Sequence, residues 1–244
     1  MASSPSRSAL RPFNILEAFC AAKRPLSLSE IAQWAGIPVS TCHTVVHSME
    51  QFGLLYFLSS RETYPTRRLW DMAREINAHD PIATRCLPFL AALRDATQET
   101  VILGARQDDR VLYLLVVESE QTIRYSSRAG DFKPLHSSSI GKVLLGTMPD
   151  DDLADWLQSH DLNQATRHTI TSAPQLLDDI RAARARGYAT TRGENVEDVM
   201  AIAAPLRRGA LTLGLAVAGP LTRVEQRADD IAAELLACVR DIAF

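Results

Sequence analysis

The chain has 244 residues, of which 46% are hydrophobic and 23% charged, and carries a formal net charge of −3. Such a composition excludes extended disorder, and the length suits two modest domains. Apolar runs are short (Val111 to Val117 is typical), far below the roughly 18–20 residues of a membrane helix, and the first residues hold no apolar signal core, so a cytoplasmic protein without membrane contact is expected.

Four cysteines, Cys20, Cys42, Cys86 and Cys238, lie far apart with no C-x-x-C pattern. Reduced thiols with no metal and no cofactor are expected. Charge is uneven. Residues 1–75 hold eight Arg and Lys against six Asp and Glu, whereas the remainder holds 18 against 23. A basic head on an acidic body hints at a local polyanion contact.

Residues 1–8 are small and polar, as in a frayed terminus. Ala9–Lys23 has helical spacing, with Leu10, Phe13, Leu16 and Cys20 on one face and Pro12 expected in its first turn. Ser27-Leu28-Ser29-Glu30 fits a capping box opening a short helix, and Gly36 suits its left-handed end. After Ile37-Pro38, Ser40 is placed as the cap of a helix that runs to Phe52 and buries Cys42, Val45, Val46 and Met49. This is a helix-turn-helix on a three-helix core. Leu54–Leu58 and Thr63–Thr66, joined by the turn Ser59–Glu62, predict a wing hairpin, with Pro65 restricting its strand to an edge. Arg67–His79 predicts a helix with Leu69, Met72, Ala73 and Ile76 along one face.

Asp80-Pro81 is a helix start and the expected domain boundary. Beyond it, Ile82–Thr97 predicts a helix broken at Pro88. Thr100–Arg106, Val111–Glu118 and Gln121–Ser127 predict strands, the first two turned at Asp108-Asp109. Helices are expected over Ser138–Thr147, Asp151–Ser159 and Gln175–Arg186, the last closed by Gly187. Strands Tyr188–Arg192, Ala201–Leu206 and Leu211–Ala218 precede a closing helix Val224–Ile242 capped by Thr222. Hairpin-linked strands with flanking helices imply an antiparallel sheet in an α+β domain.

A recognition helix presents its exposed face to base edges in the major groove. Here that face offers Thr41, His43, Thr44, His47 and Ser48, with the amides near Ser40 suited to a phosphate. Arg61 on the hairpin, with Arg67 and Arg68 behind it, is placed to reach phosphate or the minor groove. No Arg or Lys lies between Arg24 and Arg61, so nonspecific attraction must come from the wing, helix N-termini and a second copy. The candidate DNA contacts are Ser27, Ser29, Ser40, Thr41, His43, Thr44, His47, Arg61 and Arg67. A plain three-helix packing unit is the alternative. His43 and His47 have metal-capable spacing, but the Glu of a zinc-protease motif is absent between them.

In the second half, His136-Ser137-Ser138-Ser139 heads a helix and suits a carboxylate. No G-x-S-x-G and no glycine-rich phosphate loop occurs, and no acid lies close to His136 in sequence. Arg192–Asp198 is a polar loop between apolar strands, either a pocket cover or a solvated turn. The Ala- and Gly-rich strands beside it leave room for a ligand or for close helix packing.

These residues resemble the IclR family of bacterial transcriptional regulators. The similarity lies in Leu26–Ala32, Gly36-Ile37-Pro38, Ser40-Thr41 and His43, then Thr100-Val101, Arg110–Tyr113 and Val117–Ser119. Pro134-Leu135-His136, Gly141-Lys142, Leu144-Leu145, Gly187-Tyr188, Ile202–Pro205 and Ala218-Gly219-Pro220 extend it over about residues 9–240. The resemblance implies a winged helix-turn-helix (9–68), a linker helix (69–80) and a GAF-like effector domain (81–244), assembled as homodimers or homotetramers on a double-stranded DNA operator. It also implies a ligand-responsive transcriptional regulator rather than an enzyme. By position, its effector pocket maps to Thr122, Ser139, Ile140, Thr191, Ala201, Ala216 and Ala218. Arg124, Ser137, Ser138 and Asp198 complete the candidate set. Family members often carry a basic residue at Val39 and Arg at Thr44, serines at Ala216 and Ala218, and Gly at Asp198. A pocket stripped of those hydroxyls favours an apolar or aromatic organic acid. The alternatives are a sensor whose helix-turn-helix contacts protein, and a hydrolase using His136 with a neighbouring serine.

Overall fold

The computed structural model describes residues 6–59, 61–209 and 211–242, with Arg208 described in its backbone only. The first five residues of the expected frayed terminus, and Ser60 of the expected turn, lie outside the described residues. Two compact units meet in sequence between Asp80 and Pro81.

In the first unit, α1 (Arg7–Ala22) packs through Ile15, Ala18 and Phe19. Of the expected face only Leu16 packs against the core, half-buried; Phe13 is 62% exposed, and Leu10 and Cys20 are exposed too. Both stripes are apolar, and the edge-to-face contact of Phe19 with Tyr64, 5.9 Å between centroids, belongs to the buried one. Pro12 lies inside the helix rather than in its first turn; it removes one ladder bond, toward the exposed carbonyl end at Ser8.

β1 (Leu26–Ser27) leads into α2 (Leu28–Ala35), whose capping box is complete: the Ser27 hydroxyl accepts from the Glu30 amide while the Glu30 carboxylate accepts from the Ser27 amide at 2.8 Å. Gly36 ends α2 at φ 63°. α3 (Val39–Gln51) starts two residues earlier than expected, with Pro38 rather than Ser40 at the cap position. Proline already sets the required φ there, and Ser40 lies in the first turn, its carbonyl accepting from the Thr44 hydroxyl at 3.2 Å. β2 (Leu55–Phe57) and β3 (Glu62–Pro65) form the hairpin, and the sheet order β1-β3-β2 makes β3 central, not an edge. Pro65 is tolerated because β1 reaches only Glu62 and Thr63 and leaves Pro65 without a neighbour on that side. Ile15, Phe19, Leu26, Ile31, Cys42, Val46, Met49 and Leu55 fill the core. α4 (Arg68–Ala78) fully buries no residue: of the expected stripe Leu69 is half-buried, and Met72, Ala73 and Ile76 are exposed.

The second unit opens with α5 (Pro81–Thr97), which runs through Pro88 without the expected break. Ala83, Cys86, Leu90, Leu93 and Thr97 bury one continuous stripe and hold the helix together. A six-stranded antiparallel sheet follows in the order β6-β5-β4-β9-β8-β7. Its strands are β4 (Thr100–Gln107), β5 (Arg110–Val117), β6 (Phe132–Pro134), β7 (Ala189–Arg192), β8 (Val199–Arg208) and β9 (Leu211–Pro220). The expected strand Gln121–Ser127 is a loop. β6 occupies the place beside β5, and hydroxyl groups take the loop's backbone: Thr100 Oγ1 donates to the Tyr125 carbonyl at 2.5 Å and Ser119 Oγ accepts from the Gln121 amide at 3.1 Å.

α6 (Ser139–Gly146), α7 (Asp150–Ser159) and α8 (Ala173–Arg186) follow between β6 and β7. The expected closing helix is two, α9 (Leu221–Gln226) and α10 (Ala228–Asp241), and Pro220, not Thr222, stands at the first cap position. The chain bends at Arg227, whose guanidinium donates to the Thr97 carbonyl at 2.9 Å and so closes the end of α5.

Alternation along the strands sorts the core into two layers. Val101, Leu103, Met200, Ile202, Ala204, Leu213, Leu215 and Val217 pack with residues of α5 and α10. Ile102, Tyr113, Ala189, Ala203, Ala216 and Ala218 pack with residues of α6, α7 and α8. On that second face Gly214 lets α6 descend: a Cβ there would stand 2.6 Å from Ile140 Cγ2. Gly141 is tighter, since its Cβ would meet the Leu135 backbone.

Two outcomes are expected. Gly141→Ala should destabilise more than Gly214→Ala, because backbone cannot yield as a side chain can; about 1–3 kcal/mol for Gly214→Ala in denaturant unfolding is the scale. Second, the Arg24 guanidinium and the Ser27 hydroxyl hold the Glu30 carboxyl down at about 2, below its ordinary 4.5. A depressed carboxyl stabilises above its unfolded value and loses that contribution as pH falls through the folded one. The melting-temperature gap between wild type and Glu30→Gln should therefore be full above pH 4.5 and shrink toward pH 2.

Candidate functional site

The first candidate site is the exposed side of α3 and the hairpin. Ser40, His43, Thr44, His47 and Ser48 are exposed and Thr41 is half-buried. His43 and His47 stack with centroids 6.4 Å apart, and His47 Nδ1 lies 3.4 Å from Glu50 Oε2. A groove of about 560 Å³ runs between the start of α2, α3 and the hairpin, and brings together Ser27, Ser29, His43, His47 and Arg61. Ser40, Thr41 and Thr44 lie on α3 outside that groove, and Arg67 stacks over Trp70 at 4.6 Å. The Ser27 hydroxyl is occupied by Glu30, to which it donates at 2.6 Å. Six groove residues, Leu28, Val39, Val46, Glu50, Phe57 and Thr63, lie outside the sequence candidates. Val39 and Phe57 are both 53% exposed, so apolar character concealed them. Arg24 pairs with Glu30 at 2.7 Å, and Arg68 covers Phe52 at 4.4 Å. The exposed Arg61 is thus the cation facing the groove.

The second candidate site lies between the sheet and α6. Strand register sets Thr191, Ala201 and Ala218 side by side on β7, β8 and β9, with Ala203, Ala216 and Ile102 in the next row of the same face. Ser138 and Ser139 enter from the start of α6, Tyr113 and Tyr125 from the β5 side, and Asn195, Val196 and Val199 from the loop after β7. Together they enclose a cavity of about 30 Å³. Ser138 Oγ is occupied as a cap, donating to the Pro134 carbonyl at 2.7 Å and accepting from the Gly141 amide at 3.2 Å. The Ser139 and Thr191 side chains remain in the wall. Burial and the hydrogen-bonded Tyr125 phenol push the Tyr113 hydroxyl above its usual range, so it stays protonated.

Other sequence candidates fall elsewhere. Thr122 is exposed on the loop, and Arg124 pairs with Glu118 at 3.2 Å. Ser137 is buried and accepts from Asn195 Nδ2 at 3.2 Å. Ile140 presses on Gly214 rather than on the cavity. Asp198 is exposed at φ 59°, and its carbonyl accepts from the Leu221 amide at 2.7 Å. Ile102, Tyr113, Tyr125 and Val199 were missed, whereas Asn195 and Val196 belong to the Arg192–Asp198 loop weighed as either a pocket cover or a solvated turn; the pairing of Ile102 with Ala216, a matter of register, is what alternation alone does not give.

Sequence reasoning also missed Lys142. It is 1% exposed, with Nζ 2.7 Å from Asp179 Oδ2 and 2.7 Å from Glu194 Oε2. Burial pushes the Glu194 carboxyl above its ordinary value while Lys142 opposes that shift. His136 is buried, and desolvation lowers its pKa, so the neutral ring donates from Nε2 to the Asn163 carbonyl at 2.9 Å. Among the described residues His136 hydrogen-bonds neither a serine hydroxyl nor a carboxylate, the arrangement a hydrolase would need. Among the described residues no three His, Cys, Asp or Glu side chains gather into a metal-binding group, and no helix is long and apolar enough to cross a membrane.

Residues 8–59 match the IclR helix-turn-helix domain, and residues 75–244 match the bacterial transcriptional regulator IclR C-terminal domain. The transcriptional regulator KdgR of Escherichia coli K12 is 30% identical over 241 residues, covering 97% of this chain and 91% of its own. BhcR of Paracoccus denitrificans is 30% identical over 244 residues, covering 96% and 85%. Among solved structures, Thermotoga maritima IclR superposes with a TM-score of 0.78 at 24% identity over 97% of this chain and 99% of that one. An IclR homolog of Microbacterium hydrocarbonoxydans, complexed with 4-hydroxybenzoate, gives 0.77 at 23% identity, covering 96% and 97%. A helix-turn-helix with a hairpin, followed by an antiparallel sheet flanked by helices, with both family domains in order along the chain, places this protein in the IclR family of DNA-binding transcriptional regulators.

Proposed function

We propose that the second unit binds a small organic acid with an aromatic or otherwise apolar body, and that this binding shifts operator affinity of the helix-turn-helix. The observation that carries the ligand class is the wall of the cavity: an apolar floor of Ile102, Ala201, Ala216 and Ala218, a rim of two phenols, Ser139, Thr191 and Asn195, and no cation. An aromatic ring suits the floor. Its carboxylate would take the hydroxyls and first-turn amides of α6, where the helix dipole favours negative charge. The 4-hydroxybenzoate of the Microbacterium homolog is an acid of this shape. The cavity serves binding rather than catalysis in this reading. At about 30 Å³ it must open to admit such a molecule, since ligand sites usually measure roughly 300–1,000 Å³.

At the operator, two copies of the chain would set two α3 helices in successive major grooves, about 34–36 Å apart. The exposed Trp70, Met72 and Ile76 of α4 support a homodimer or homotetramer, because a second copy would remove them from water. The protein acts in the cytoplasm, where DNA and metabolite meet. One observation favours a second reading, in which the helix-turn-helix contacts protein: its groove holds Val39, Phe57 and Glu50 and faces a single cation.

A gel-shift assay on the chain's own promoter region separates the two. Duplex binding should fall steeply with salt. Thr41→Ala or His43→Ala should change sequence preference, whereas Arg61→Ala should weaken all sequences alike. Salt-independent binding, or none, favours the protein-contact reading. The ligand class is checked by thermal shift with 4-hydroxybenzoate, other aromatic acids and aliphatic acids. A ligand at about 100 times its Kd stabilises by about 2.7 kcal/mol, roughly 5–10 °C for a domain of this size. Shifts from aliphatic acids alone would refute the aromatic assignment.

A further inference from the structure

The segment from Gly193 to Asp198 links β7 to β8 and supplies Asn195 and Val196 to the cavity wall. Its two halves are held differently. In the first half, the Gly193 carbonyl accepts from Thr166 Oγ1 and the Glu194 carbonyl from Thr169 Oγ1, both at 2.6 Å. The Glu194 carboxylate meets Lys142 Nζ at 2.7 Å, and Asn195 Nδ2 donates to Ser137 Oγ at 3.2 Å. In the second half, Val196, Glu197 and Asp198 are exposed. They are tied by the Val199 amide to the Val196 carbonyl at 3.3 Å, by the Leu221 amide to the Asp198 carbonyl, and by a 4.0 Å surface pair of Glu197 with Arg167.

Lys142 is the one charged tie among these that is sealed from water, and it belongs to α6. The first turn of α6 carries Ser138 and Ser139 into the same cavity. An ion pair removed from water seldom adds net stability over an apolar pair of equal volume, but it does demand one geometry. We propose that Lys142 is a positioning residue for the ligand cavity: by holding Glu194 it locks Asn195 to the start of α6, so the anchored half of the loop wall and the helix wall keep one register. Asp179, 2.7 Å away on α8, holds the ammonium from the other side and limits where it can point. The inference rests on the reading of this cavity as the effector site.

The test uses the full chain and two variants. Glu194→Gln keeps an oxygen acceptor but removes the charge. Lys142→Met with Glu194→Met replaces the pair by apolar side chains of similar length. Hydrogen exchange across 193–197 should quicken about tenfold in both, with β4 and β9 unchanged. The double variant leaves Asp179 unpaired but partly in water, whereas Glu194→Gln leaves the buried ammonium short of a charge; the double variant should therefore melt no lower than Glu194→Gln yet keep the quickened loop, which a merely stabilising ion pair would not produce. With benzoate as the probe, the same variants should bind about tenfold more weakly through faster release, since the wall is no longer preorganised. Unchanged loop exchange, or exchange raised equally throughout the sheet, overturns the proposal. Failure of benzoate to bind wild type while the loop exchange responds as expected instead counts against the effector reading and leaves the positioning role standing.

Discussion

Everything in the effector domain depends on how closely α6 lies on the sheet. Three glycines permit it. Gly214 and Gly104 clear the sheet beneath Ile140, and Gly141 lets the helix pass the Leu135 backbone. A methyl group at Gly214 would stand 2.6 Å from Ile140 Cγ2, so the approach is a steric constraint rather than a preference. The same descent buries the start of α6 and sets Ser138 and Ser139 over the sheet. The rows of small residues on one sheet face thus divide by role. Glycines lie under Ile140, where contact is tightest, and alanines 201, 216 and 218 lie under the opening, where a methyl still leaves space.

That division explains what could be recognised from sequence and what could not. Small residues on these strands suggest either ligand room or close packing; a small opening and a close helix contact lie one row apart, and only the register separates them. Signals contained in a few consecutive residues were legible. The capping box at Ser27–Glu30, Gly36 ending α2 and Gly187 ending α8 each express local backbone chemistry. Features decided by distant partners were not. α1 has two apolar stripes, and packing against α2, α3 and the hairpin selects between them. The Gln121–Ser127 stretch has strand composition, but β6 holds the edge it would need. Lys142 finds its carboxylates 37 and 52 residues away, and no sequence pattern announces that meeting.

The DNA-binding unit presents the opposite electrostatic problem. Its groove is open and formed, but the nearby cations are largely engaged by the protein itself, Arg24 with Glu30 and Arg68 with Phe52. Glu50 adds an anion beside His47. Coulomb attraction from α3 to a phosphate backbone is therefore weak at neutral pH, and Arg61 with backbone amides must supply more of it than side chains of the helix do. Two copies acting together, as proposed above, would multiply a weak single contact through effective concentration, without any new contact in either copy.

The two sites differ in readiness, and that difference bears on how a signal passes. The groove beside α3 is open at about 560 Å³, whereas the proposed ligand cavity, at about 30 Å³, would have to enlarge before an aromatic ring fits. If the open cavity is a minor fraction of the population, apparent ligand affinity falls by that fraction. The observed anchoring indicates where the enlargement can arise. The first half of the loop is bound to α6 and to Thr166 and Thr169, so Gly193–Asn195 resists displacement, whereas Val196 and Glu197 stand in water on few ties. Opening at that crest would move Val196 off the floor while leaving Ser139 and Thr191 in place to meet polar atoms. Orientation would then be set by the fixed half of the wall and access by the exposed half, which lets one short loop serve both.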